Sequence, residues 1–344
     1  MGGNALKEFG SKRLGTERFN MLASKLSTVL NDILDAYGIK ERAQLIPSYR
    51  EKEDHGDIDV VVPIKIRPLL GNDQMMAEMS ARFGVEKMEY INNGPVVSYG
   101  YPLEEGGVFQ IDLIYMQEES LDFAVSYFAW NDVGNLMGRI AHKLGLRFGH
   151  DGLALPMRDE TNLFATVTLT RDYQKATEFL GFSYERWKLG FNNLEEIFHF
   201  VTDCPRFSTA IYLLENRNHT ARVRDKKRPT YTKFLAWLEA HPEADKAFEW
   251  SEDKSVWLPE ILAAFPEAAG EYKQALVNLE KQKLIRSKYN GEVVSNVTGL
   301  SGKALGSFMA DFKNSFESKE AFNDYMEHQD LEQIKAAVLK HHSK

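Results

Sequence analysis

The stretch Ser48-Tyr49-Arg50-Glu51-Lys52-Glu53-Asp54-His55-Gly56-Asp57-Ile58-Asp59-Val60-Val61-Val62 decides how the rest of this chain is read. Two aspartates stand one residue apart at the head of an apolar, β-branched run, the composition of a buried strand. Side chains alternate along a strand, so Asp57 and Asp59 share one face while Ile58 points to the other. Two carboxylates that close repel, and keeping both ionised calls for a cation. Hard divalent ions such as Mg²⁺ take oxygen ligands and leave positions for substrate phosphates. The pattern predicts metal-assisted phosphoryl or nucleotidyl transfer.

Upstream, Phe19, Leu22, Leu26, Val29, Leu30, Ile33, Leu34 and Tyr37 recur at helical spacing, predicting a helix over 16–37 with Thr16 as N-cap and Gly38 just past its end. Downstream, the strand is expected over 58–66, with Pro63 marking a bulge or an edge. A helix over 73–83 turns Met75, Met76, Met79 and Phe83 inward. Asn93-Gly94-Pro95 is a turn, 96–101 a strand, and Glu104-Glu105-Gly106-Gly107 a second turn. Val108-Phe109-Gln110-Ile111-Asp112-Leu113-Ile114-Tyr115-Met116 then reads as a second acidic strand. Burying a carboxylate in so apolar a run is costly unless it meets a partner or a metal.

Beyond Met116 the pattern turns helical, over 131–144, 170–179, 194–201, 231–240, 256–264, 271–285, 303–313 and 319–340, with a short hairpin or loop at 147–156. The expected class is α+β: a small mixed-sheet domain followed by a mostly α-helical C-terminal region. The expected boundaries are a helical lead-in at 1–40, the sheet domain with its adjoining segment at 41–190, and a helical accessory domain at 191–344.

The chain has 344 residues, 43% of them hydrophobic, enough for a sizeable core, and a net charge of −8. A protein that coats duplex nucleic acid is more often basic. Contact with nucleic acid therefore falls to a local patch, and the densest run of cations is Arg217, Arg222, Arg224, Lys226, Lys227 and Arg228. By default such a run is a solvated face. The single cysteine, Cys204, excludes an intramolecular disulfide, fits a reducing compartment and reads as an inert thiol. The polar N-terminus lacks a signal peptide's apolar core and no run is long enough to span a bilayer, so the expected location is cytoplasmic. His55 and His142 read as polar surface residues. The glycines between Gly299 and Gly306 lack the spacing of a phosphate loop and mark the start of a helix.

Ser48-Tyr49-Arg50 followed by Gly56-Asp57-Ile58-Asp59 resembles the nucleotidyltransferase signature of the DNA polymerase beta superfamily. It is most similar to the palm of the family X polymerases, which carry Gly-Ser-Tyr/Phe-Arg-Arg-Gly and then Gly-Asp-hydrophobic-Asp. Ile111-Asp112-Leu113 resembles that family's third carboxylate strand. The resemblance implies that Asp57, Asp59 and Asp112 hold two Mg²⁺ ions, or Mn²⁺ in their place. One ion activates the attacking 3′-hydroxyl, with Asp112 beside it, and the other binds the triphosphate. It also implies a nucleotide site: Ser48 and its turn on the triphosphate, Arg50 and Lys52 neutralising phosphate charge, and Gly56 beside them.

Tyr127-Phe128-Ala129-Trp130-Asn131 stands where the family has Tyr-Phe-Thr-Gly-Ser under the nucleotide sugar, implying that Tyr127 and Phe128 select the sugar. Asn135, Arg139 and Ala141-His142-Lys143-Leu144-Gly145-Leu146-Arg147 resemble the helix that follows, with Asn135 and Arg139 on the nucleotide side, and Gly152-Leu153 resembles its hairpin. The likeness spans 45–190. The implied function is metal-dependent transfer of a nucleoside monophosphate from an NTP or dNTP to a DNA or RNA 3′-end, with release of pyrophosphate.

The chain departs from the family at Pro47, which replaces a glycine; at Ala129 and Trp130, which replace Thr and Gly; and in a Ser48–Asp57 spacer one residue shorter. The residues ahead of the motif, about 40, are fewer than the lyase domain of family X repair polymerases needs, which shifts the expectation from gap-filling repair toward terminal addition or another nucleotidyl transfer. Two alternatives stay open: nucleotidylation, such as adenylylation, of a protein or small molecule, and a nucleic-acid-binding protein with a decayed site.

Overall fold

The computed structural model describes residues 4–159 and 162–343. The chain forms two compact units, one of Met1–Pro156 with Thr168–Pro266, the other of Met157–Val167 with Glu267–Lys344. The class is α+β.

The first unit begins with β1 (Leu14–Gly15) and α1 (Thr16–Ala36), then β2 (Gln44–Leu45), β3 (Asp54–His55) and β4 (Asp57–Pro63). α2 (Ile66–Phe83), β5 (Glu89–Asn93), β6 (Val96–Pro102) and β7 (Val108–Met116) follow. Five strands form one sheet in the order β2-β4-β7-β6-β5, while β1 and β3 pair separately. β4 and β7 run parallel and the other pairs antiparallel. A parallel pair needs a long crossover, and here α2 and the β5–β6 hairpin supply it.

The sheet is covered on both faces, which is why Val60-Val61-Val62 reads as an unbroken apolar run. One face buries Ile58, Val60, Val62, Ile111 and Leu113 against Leu26, Leu30 and Ile33 of α1 and Met75 and Met79 of α2. The other buries Val61, Ile114 and Met116 against Leu121 and Ala124 of α3 (Leu121–Phe128). By alternation Asp57, Asp59 and Asp112 belong to this second face.

The unit continues with α4 (Val133–Lys143), β8 (Arg147–Gly149), β9 (Gly152–Asp159), β10 (Asn162–Thr170), α5 (Tyr173–Phe179), α6 (Tyr184–Lys188), α7 (Leu194–Thr202), α8 (His219–Lys226), α9 (Pro229–Ala240) and α10 (Leu258–Ala264), the tip of the β9–β10 hairpin belonging to the second unit. The second unit holds α11 (Ala269–Lys288), α12 (Gly291–Thr298), α13 (Gly302–Asn314), α14 (Lys319–His328) and α15 (Leu331–His342). Its core is built on Ile285, Tyr289, Val294, Phe312, Phe322, Met326, Ile334 and Val338. Among the described residues, no helix is long and apolar enough to cross a membrane.

Several boundaries differ from the sequence reading. The strand expected over 58–66 stops at Pro63, a proline with no N–H for the ladder, and Ile66 opens α2. Pro63 marks an end rather than a bulge. α2 starts earlier than 73 and breaks at Gly71, whose φ of 67° leaves the helical range. Gly15, not Thr16, occupies the N-cap of α1, and the Thr16 hydroxyl donates to the carbonyls of Lys52 and Glu53. The helix expected over 170–179 starts only at Tyr173, because β10 runs through Thr170. The span 319–340 is two helices, divided where Asp330 caps α15 in a reciprocal pair with Gln333.

Candidate functional site

The parallel register sets Asp59 directly opposite Asp112, and alternation adds Asp57 two residues earlier. Each of the three can offer an oxygen within 4.8 Å of the other two. Burial pushes the Asp59 carboxyl well above the usual range, and the charges of Asp57 and Asp112 push it further. Burial pushes Asp112 up to about 6, against the pull of hydrogen bonds from Ser98 and Gln110. Ser98 stands opposite Asp112 on β6, and Gln110 Nε2 donates to both carboxylate oxygens at 3.0 and 2.9 Å. Lys52 faces the cluster with its own pKa lowered by burial and lifted by Asp57 and Asp59. Arg13 lines the same cleft within Coulombic reach of Asp57, and the all-oxygen donor set of the three carboxyls suits a hard divalent cation.

Asp57 and Asp59 open into a cleft of about 570 Å³. Pro47, Ser48, Tyr49 and Lys52 line one side, and Phe128, Asn131 and Asp132 line another, with Thr230 and Lys233 from α9. The turn 47–52 is anchored at its start, where the Ile46 N–H donates to the Asp59 carbonyl at 3.0 Å. The Pro47 carbonyl accepts from the Trp130 N–H at 2.8 Å. Trp130 and Asn131 both hold left-handed backbone, with φ of 60° and 62°, so the α3–α4 corner is a strained one pinned to this turn. Proline at position 47 thus supplies a carbonyl anchor where it withholds an amide donor.

His55 corrects its sequence reading. It is 3% exposed rather than a surface residue, because Phe19 of α1 stacks on its ring at 3.6 Å. Burial, and then Lys52, lower its imidazole to about 4, so it is neutral at physiological pH. His142 is exposed, as read. Cys204 is buried and its thiol is pushed up to about 11 by that burial, an inert state.

The structure gathers Ser48, Lys52, Gly56, Asp57, Asp59 and Phe128 at the cleft and leaves other expected residues outside its lining. Arg50 turns away: its guanidinium donates to the Leu189 carbonyl and to Asn192 Oδ1, and its N–H to the Phe191 carbonyl. It holds the 189–192 loop. Tyr127 packs edge-on against Phe128 and Phe148. Arg139 is buried and donates to the Ile211 carbonyl at 3.1 Å, with Asn135 on the same helix.

The basic run is split as well. Arg217 is buried against Asp225 at 2.9 Å, Arg224 reaches the same carboxylate at 3.0 Å, and Arg228 pairs with Asp132 at 2.5 Å. Arg222, Lys226 and Lys227 remain outside ion pairs among the described residues.

The sequence reading passed over Gln110, Ser98, Asn131, Asp132, Thr230 and Lys233. Gln110 had a signal, since it precedes Asp112 by two residues on the same strand face. Lys233 had none, being one lysine of a distant helix. No family model matches the chain, and no curated protein matches it.

Proposed function

We propose that this chain is a metal-dependent nucleotidyltransferase, moving a nucleoside monophosphate from an NTP or dNTP to a nucleic-acid 3′-hydroxyl and releasing pyrophosphate. The observation that carries the reading is the convergence of Asp57, Asp59 and Asp112 within 4.8 Å, with Asp57 and Asp59 on a cleft that Ser48 and Lys52 also line. The resemblance of both acidic strands to the DNA polymerase beta superfamily supports it. Two Mg²⁺ ions, or Mn²⁺, held by the three aspartates would activate the hydroxyl and offset the triphosphate's charge.

The chain's own groups have distinct tasks. Lys52 draws the triphosphate by charge, and Ser48 Oγ donates a hydrogen bond to a phosphate oxygen. Phe128 presents a ring to the sugar or base. Asp112 takes the proton of the attacking hydroxyl as the new O–P bond forms, and pyrophosphate departs with the broken one. Arg222, Lys226 and Lys227 meet the acceptor's phosphates.

The test incubates purified protein with Mg²⁺, the four NTPs or four dNTPs, and DNA or RNA primers, and reads primer extension. Asp59→Ala should reduce extension by at least about 100-fold, the upper range for disturbing even a residue behind the ligands. Equal extension by Asp59→Ala overturns the site. A second reading, nucleotidylation of a protein or small molecule, is favoured by the net charge of −8 and by the diversion of Arg217, Arg224 and Arg228 into internal ion pairs. A mass gain of one AMP on such an acceptor, without primer extension, selects it.

A further inference from the structure

Gln110 is 3% exposed and uses both ends of its side chain. Nε2 donates to both oxygens of Asp112, while Oε1 accepts from the backbone N–H of Ala5 at 3.0 Å and of Leu6 at 3.4 Å. Leu6 is fully buried. The segment then runs along the head of β7: the Lys12 N–H donates to the Val108 carbonyl at 2.9 Å, and the Val108 N–H to the Gly10 carbonyl at 3.3 Å. The approach is close enough that a Cβ on Gly107 would lie 2.4 Å from the Gly10 oxygen. The chain continues into β1, whose Leu14 pairs with His55 beside the other acidic strand.

We propose that Gln110 is a positioning residue for Asp112 and that the segment from Ala5 to Lys12 belongs to the site by acting through it. The proposal rests on reading the three aspartates as a metal site. A primary amide carries its acceptor and its donors at opposite ends. With Oε1 held by two backbone amides, Nε2 cannot swing away, and it fixes the rotamer of the carboxylate it touches. The two carboxylate oxygens offer four lone-pair sites; Gln110 takes one on each and Ser98 another, which leaves one for a cation. Hydrogen bonds to a ligating carboxylate from behind commonly tune metal affinity about 10–100-fold. The amide is neutral, so it orients Asp112 without adding a charge that would compete with the cation.

The experiment titrates the full chain with Mn²⁺ and follows free Mn²⁺ by electron paramagnetic resonance, a readout independent of turnover. Gln110→Leu, with native circular dichroism, should weaken Mn²⁺ binding by about 10–100-fold. Leu6→Ala, which loosens the segment without touching Asp112, should shift it the same way by less. A folded Gln110→Leu that binds Mn²⁺ like wild type, while Asp59→Ala loses binding, overturns the positioning role alone. Wild type that binds no better than Asp59→Ala overturns the metal reading and this proposal together. If Gln110→Leu does not fold, Leu6→Ala decides: unchanged affinity overturns the proposal.

Discussion

Asp112 has a measurable electrostatic signature of its own. Burial raises its carboxyl to about 6, so the folded chain holds that proton to higher pH than the unfolded chain does. The associated stability is present below the unfolded pKa and is lost as pH rises through about 4 to 6, at a cost of about 3 kcal/mol. Without added divalent ion, Asp112→Asn should therefore be more stable than wild type at pH 8 by about 1–3 kcal/mol, a gain that includes relief of Asp59, which the Asp112 charge also pushes up. The gain should shrink toward zero near pH 4, as urea unfolding at both pH values would show; a gain independent of pH would remove the burial account. His55 acts with the opposite sign. Its lowered pKa gives stability present above about 6.5 and lost as pH falls through about 4, and it cancels in a comparison of the two proteins at one pH. The three aspartates were legible because apolar neighbours flanked them in an alternating pattern. The burial of His55 was not, because it is made by Phe19, a residue of another element.

At the scale of elements, the α3–α4 corner and the turn 47–52 form one assembly. Trp130 donates to Pro47, and Gly190 packs beneath the Trp130 ring: a Cβ there would lie 2.6 Å from Cη2 and 3.0 Å from Arg50 Nη2. Gly190 also has φ of 72°, where a side chain costs about 1–2 kcal/mol. With overpacking added, Gly190→Ala should lose about 2–4 kcal/mol in urea unfolding. A loss under about 0.5 kcal/mol, the scale of ordinary surface changes, would show that the corner yields freely. Pro47 and Trp130 looked in sequence like two unrelated departures from a family pattern; in space they bond to each other. The strongly periodic helices were legible, α1 almost to the residue. β5 was not, since Glu89-Tyr90-Ile91-Asn92-Asn93 is mostly polar, as an outermost strand with exposed ends can be. The break before α15 hid inside one apolar period, marked only by its Asp330 cap.

Over the whole molecule, charge bears on which acceptor the proposed transferase would take. The chain carries −8 overall, so attraction to a polyanion depends on a local cluster of cations, such as Arg222, Lys226 and Lys227. If a single strand is the acceptor, affinity should fall with salt, each neutralised phosphate adding about 0.7 to the log–log slope. The double variant Lys226→Ala, Lys227→Ala should then lower that slope by about 1.4. An unchanged slope in a salt titration by fluorescence anisotropy would place the acceptor elsewhere than α8. The clustering of these cations was legible in the sequence; their division was not. Asp225 lies within the run and turns Arg217 inward, while Arg228 is claimed by Asp132 from the far side of the unit's sequence. The helices of 267–344 were legible as helices, with one split and with α12 passed over, but their apolar periodicity reports only the core they bury.

β7 is made last of the five sheet strands yet lies at the centre, between β4 and β6. During synthesis, Asp57 and Asp59 leave the ribosome long before Asp112 exists, and the sheet can close only when β7 inserts. Such a non-local pairing bears its loop-closure entropy before any contact rewards it. A nascent chain that ends before Asp112 therefore has two of the three carboxyls and no three-carboxylate centre. If the three carboxyls bind a divalent ion, that affinity would appear together with the finished sheet, and ion binding by a growing chain would time the closing step of its folding.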